Sequence, residues 1–136
     1  MKNRLVISAG LMIQLFLISA CNRFDQTQTE AAIQQYVNEM FYAPDSYQAV
    51  RYYSPRKMTV STDPNDRNNA SFSKDESKMI EGWGIAVDIK ARTGSGEVSG
   101  QSAAFYLNAK CDSVIFSDVA PQFLKNDSLS MIRNAK

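Results

Sequence analysis

The chain has 136 residues, 15 basic and 14 acidic side chains, a formal net charge of +1, two cysteines and no histidine. That length fits one domain. The near-neutral balance carries no electrostatic footprint for nucleic acid, and it includes no acidic or basic tail that would attract a charge-driven partner.

Met1 to Arg4 carries two positive charges, and Leu5 to Ile18 is a 14-residue apolar run, "LVISAGLMIQLFLI". Ser19, Ala20 and Cys21 follow. A basic start, an apolar run and small residues in that order mark an export signal. The run is short against the roughly 20 residues that a membrane-spanning helix needs. "ISAC", Ile18 to Cys21, resembles the lipobox of bacterial lipoproteins. The resemblance implies that a signal peptide, 1–20, is removed and that the Cys21 thiol is lipidated and becomes the first residue. An acyl chain contributes about 0.8 kcal/mol per buried methylene, and two or more chains anchor stably. The expected partner is therefore a lipid bilayer, held through acylated Cys21. A plain secretory signal cut near Ala20 and an uncut membrane anchor are the alternatives. Asn22, rather than aspartate, follows the cysteine. By resemblance to the sorting rule of enteric bacteria, this favours the outer membrane, in a periplasmic or surface-facing position. Removal of Lys2 and Arg4 with the leader leaves 13 basic and 14 acidic residues.

Residues 21–29 read as the lipidated cysteine and a polar tether, and 30–136 as one domain. Thr27 and Glu30 have capping-box spacing. Ile33, Tyr36, Val37, Met40 and Phe41 then form one apolar stripe at helical period, with Gln34, Gln35, Asn38 and Glu39 opposite. Pro44 ends the helix, because the residue before a proline avoids the helical region. "APDSY" (43–47) reads as a turn and "YQAVRYY" (47–53) as a strand, which Pro55 limits or confines to a sheet edge. Residues 61–72 are dense in Asp, Asn, Ser and Pro and read as a loop. Ser73 to Glu76 can cap a short helical turn running to Ile80.

In "WGIAVDIKA" the residues Trp83, Ile85, Val87, Ile89 and Ala91 alternate with Gly84, Ala86, Asp88 and Lys90, a strand with one apolar face. "RTGSGE" (92–97) is a hairpin connection. "VSGQSAAFYL" (98–107) returns with Ala103, Phe105 and Leu107 on one face, and Gly100 suggests a bulge or bend. "NAKCD" (108–112) is a turn and "SVIFS" (113–117) a short strand. Short helices around "VAPQFL" and "SLSMIR" are expected in 118–136. The fold class is α+β: an N-terminal amphipathic helix packed on an antiparallel meander of about four strands. The second face of the sheet is left partly open or is covered by the C-terminal tail.

"APDSYQAV" (43–50), "IKARTGSG" (89–96) and "FYLNAKCDSVI" (105–115) resemble the pattern of small exported proteins and lipoproteins of Bacteroidota. That pattern runs "DP-x-SY", "YRAKN-x-x-G" and "F-x-LD-x-x-G-x-V". Thr93 stands in place of its asparagine, Asn108 in place of its aspartate and Asp112 in place of its last glycine. The resemblance implies the helix-and-hairpin order above, assigns no activity, and places Cys111 in an exposed turn between strands. With Cys21 lipidated, Cys111 has no partner in the chain. It reads as a partly buried inert thiol, an intermolecular disulfide partner, or a nucleophile with no histidine to activate it.

Other constellations are weak. "TGSGE" has two glycines in phosphate-loop style but no lysine and no following helix. "DPNDRNN" (63–69) gathers oxygen ligands without EF-hand spacing. Zinc needs nitrogen or sulfur ligands as a rule, and a chain with no histidine and one spare cysteine falls short of them, so no cofactor is expected. Asp75, Glu76 and Asp88 are carboxylates that helix-start and strand-surface roles explain. Tyr47, Arg51 and Tyr53, interleaved in "YQAVRYYSPR", form a candidate surface for a glycan or peptide. Ser113 and Ser128 sit in Asp-Ser-apolar tripeptides that resemble O-glycosylation signals of Bacteroidota. The sequence therefore supports two functional expectations. One is a non-catalytic envelope module that holds an unknown protein or glycan. The other is a small envelope hydrolase using carboxylates.

Overall fold

A computed structural model describes residues 23–66 and 73–125. The proposed leader, Cys21, Ser128 and the "SLSMIR" segment lie outside the described residues.

Helix α1, Gln26–Met40, starts two residues earlier than the Thr27–Glu30 spacing suggests. Its N-cap is Asp25, whose carboxylate accepts from the Gln28 N–H at 2.9 Å, so the Thr27–Glu30 capping box is not used. A side-chain acceptor at this position satisfies one of the four orphan N–H groups of the first turn. Thr29 is buried and spends its hydroxyl on the Asp25 carbonyl, 2.7 Å away. The stripe faces inward as its spacing requires: Ile33, Val37 and Phe41 are fully buried, with Tyr36 and Met40 packed beside them. A Gln-rich helix of this length is marginal alone, and burial of that stripe holds it in place.

The sheet is wholly antiparallel and has five strands: β1 (Ala43–Tyr52), β2 (Arg56–Ser61), β3 (Met79–Arg92), β4 (Val98–Asn108) and β5 (Val114–Ser117). The order is β1-β3-β4-β5, and β2 also pairs with β3. β1 lies along the second half of β3 and β2 along the first half, so the two form one interrupted edge line. Tyr52 faces Val87, but Arg56 faces Gly84, which leaves one extra residue in the break. Pro55 sits in that break, where it has no N–H to give to a ladder. The fifth strand is thus the continuation of the first edge beyond a proline, in residues that sequence reading left unassigned or gave to the loop.

"APDSY" is not a free turn. It opens β1 with an irregular register, in which the Ser46 hydroxyl donates to the Ala43 carbonyl at 2.6 Å and accepts from the Arg92 N–H at 2.8 Å. The expected helical turn at 73–80 shrinks to Glu76–Lys78, capped by Asp75, and Met79 and Ile80 belong to β3. β3 and β4 pair without interruption from Arg92–Val98 to Gly82–Asn108, so Gly100 makes no bulge. The hairpin between them closes through Thr93 N–H to the Glu97 carbonyl at 2.8 Å, with Gly96 in the left-handed region at φ 89°.

Ile85, Val87, Ile89, Ala91, Ala103, Phe105 and Leu107 form the inner face of the sheet, as the alternation requires. Residues 118–125 run back across the open side of this core. A short helical turn, Pro121–Phe123, drops Phe123 against Phe41 with ring centroids 6.0 Å apart. The Tyr42 N–H donates to the Phe123 carbonyl and the Lys125 N–H to the Met40 carbonyl. The Lys125 ammonium caps the helix end, donating to the Asn38 and Glu39 carbonyls at 3.2 and 3.0 Å, where a cation also complements the helix dipole. This stretch of the tail therefore completes the inner core, and the outer face of the sheet is left open among the described residues.

Candidate functional site

The outer face carries the side chains that alternate away from the core. Gly84 and Ala86 of β3 and Ala104 of β4 are small, so they form a floor, whereas Tyr106 pairs opposite Gly84 and rises beside it. Tyr53, Met58 and Arg56 stand along the other side, supplied by the edge line on either side of Pro55. The result is an open cleft of about 600 Å³. Its aromatic wall continues to Phe116 of β5, 5.6 Å from Tyr106 between ring centroids. Arg56 and Lys57 give the rim positive charge and have no carboxylate within ion-pair distance among the described residues.

Tyr53 is fixed from two sides. Its hydroxyl donates to the Asp88 carboxylate at 2.9 Å, which raises the phenol above its ordinary pKa of 10.0. The Arg51 guanidinium stacks over the ring, 4.8 Å from its centroid. A cation on a tyrosine face gains about 0.5–1 kcal/mol at an exposed site. An apolar floor, aromatic walls and a cationic rim suit a ligand with a flat apolar surface and a polar or anionic edge.

Of the three residues named for this surface, Arg51 and Tyr53 lie together on the outer face, but Tyr47 does not. Ala49 faces Ile89 and Arg51 faces Asp88, so Val50 is an extra residue that reverses the alternation of β1. Tyr47 consequently points inward against Phe41, at 5.8 Å between centroids. Its hydroxyl is buried without a hydrogen-bond partner among the described residues, and burial pushes the phenol up, with the nearby Tyr52 adding to the effect. Met58 and Tyr106 were not expected at the site. The signal for Tyr106 was present, since residues opposite in phase to Phe105 and Leu107 must face outward.

Cys111 corrects an expectation of exposure: it is fully buried, in the left-handed conformation at φ 60°. That conformation falls one residue before Asp112, the position aligned with glycine. The turn is held by Asn108, whose side-chain carbonyl accepts from the Asp112 and Ser113 N–H groups at 3.1 and 3.3 Å. Ser113 is exposed at the end of that turn. Asp63 is tied to Lys78 at 2.6 Å and to the Asn65 N–H at 2.9 Å, and these bonds hold its carboxyl below the ordinary range. Asp75 caps Glu76–Lys78 and is lowered by its bonds to Ser77. No group of three His, Cys, Asp or Glu side chains could hold a metal among the described residues. None of the described helices is long and apolar enough to cross a membrane. Comparison of the chain with protein-family models, curated proteins and solved structures finds no match in any of the three.

Proposed function

We propose that this chain is a lipoprotein of the bacterial envelope, anchored through acylated Cys21, that holds an envelope protein or glycan against the outer face of its sheet without catalysing a reaction. The observation that carries the binding part is the cleft: a floor of Gly84, Ala86 and Ala104, walls of Tyr53, Met58 and Tyr106, and a rim of Arg56 and Lys57. Monomeric domains leave such a patch uncovered chiefly where something binds. The anchoring part rests on the export signal and on "ISAC". The hydrolase alternative has less support. The buried polar residues of the described chain are Thr29, Ser61, Ser73 and Thr93, with no carboxylate among them. Asp63, Asp75, Asp88 and Asp118 are each engaged in structural hydrogen bonds.

Crosslinking in intact cells tests the reading, using the native chain, Ala86→Trp and Cys21→Ala. The native chain should retrieve a specific envelope protein or glycan. Ala86→Trp fills the floor and leaves the inner face untouched, so it should lose that partner while keeping its circular dichroism. Cys21→Ala should lose both the lipid and the capture. Undiminished capture by Ala86→Trp would reject the outer face as the binding surface. A well-expressed, lipidated native chain with no partner would turn attention to the hydrolase alternative.

A further inference from the structure

Taken with lipidation at Cys21, on which this inference depends, the fold determines which end of the domain meets the membrane. The sequence alone suggests a tether to residue 29, but Phe24 is already packed on Trp83, edge to face, with ring centroids 5.5 Å apart. Three peptide units separate Cys21 from Phe24, and an extended chain spans at most about 11 Å over that distance. The domain therefore has almost no slack. We infer that the surface around Phe24 and Trp83 seats on lipid headgroups, and that neither the outer sheet face nor the hairpin at 93–97 does so.

Three features favour this seat. Phe24 and Trp83 are only half-buried, and paired aromatic rings at a lipid–water boundary suit its mixed character. Arg23, exposed beside them, brings a positive charge toward the headgroups. Helix α1 contains no basic residue and exposes Glu30 and Glu39, so lying on its side against an anionic surface is unfavourable. From Trp83 the strand β3 runs to Arg92, about 30 Å at the usual rise. That places the hairpin far beyond the reach of the tether.

Trp83 is the single tryptophan and serves as the probe. The full chain, expressed with its leader, is reconstituted into vesicles of phosphatidylcholine and phosphatidylglycerol that contain a headgroup nitroxide. The mass of the N-terminal fragment records acylation. Trp83 emission should fall on adding the nitroxide lipid. A chain with Trp83→Phe and Ser95→Trp, which moves the probe to the exposed hairpin, should keep its emission. If that variant misfolds, Ser95→Cys carrying a maleimide fluorophore in the otherwise native chain replaces it, since Cys111 is buried. Acylated protein quenched equally at both positions, or more strongly at 95, overturns the inference and leaves the lipoprotein reading standing. Cys21 without acyl chains overturns both.

Discussion

Tyr47 shows how one backbone irregularity alters the role of a side chain. The bulge at Val50 turns Tyr47 from the outer face to the inner one, and its hydroxyl is buried there, beside Tyr52, without a well-formed hydrogen bond among the described residues. A buried hydroxyl without a bond costs about 1–3 kcal/mol, while the ring still packs on Phe41. Tyr47→Phe should therefore match or exceed the native stability at neutral pH, by up to about 1 kcal/mol in urea unfolding. A clear loss would mean that the hydroxyl has a partner. The pH dependence has a definite sign. Burial raises the phenol above its ordinary 10.0, so the folded chain keeps a proton that the unfolded chain releases. The contribution is complete below about pH 10 and is lost as pH rises beyond it, and Tyr47→Phe should weaken that alkaline decline. Cys111 is the second residue with an altered role: a left-handed backbone normally costs a residue with a Cβ about 1–2 kcal/mol, and the Asn108 bonds hold it there.

Among the elements, the central hairpin tolerates side chains unevenly. A Cβ on Gly82 would collide with the Leu107 carbonyl oxygen, a backbone atom of β4 that cannot move without breaking the ladder. A Cβ on Gly84 would meet the Met58 sulfur at 2.7 Å, the end of a flexible side chain. Gly82→Ala should cost roughly 3 kcal/mol or more and Gly84→Ala roughly 1 or less, read from chemical denaturation. Equal costs would contradict this account. The elements also differ in how legible they were. Helix α1 and the β3–β4 hairpin could be read because Ile33, Val37 and Phe41, and then Trp83 to Ala91, repeat at their own periods. β2 could not, because its alternation is limited to Met58 and Val60 between Pro55 and a polar loop, and its pairing partners lie 18 to 28 residues away in the chain. The same limit applies to the site. Arg51 and Tyr53 were found from composition, whereas Met58 joins them only through β2, and the displacement of Tyr47 depends on a bulge that leaves no mark in the sequence.

For the molecule as a whole, the C-terminal segment closes a core that helix and sheet leave open. Phe123 is fully buried against Phe41, and Val119 and Leu124 are nearly so. Phe123→Ala should cost about 3–5 kcal/mol, comparable to a substitution in β3 and far above a surface change. Differential scanning calorimetry should show one transition shifted downward, since helix, sheet and tail share a single cluster. A loss below about 1 kcal/mol would mean that the tail is an accessory to an already closed core. The irregularities of the first edge, at its start in 43–48, at Val50 and around Pro55, also have a consequence beyond this chain. A regular edge strand is a template on which a neighbouring chain can add a strand, and molecules crowded onto a surface meet one another's edges often. Here the register breaks three times along one border, and on the opposite border β5 pairs with only Phe105–Leu107 of β4. The first border therefore offers no long uniform row of donors and acceptors on which a neighbouring copy could add a strand.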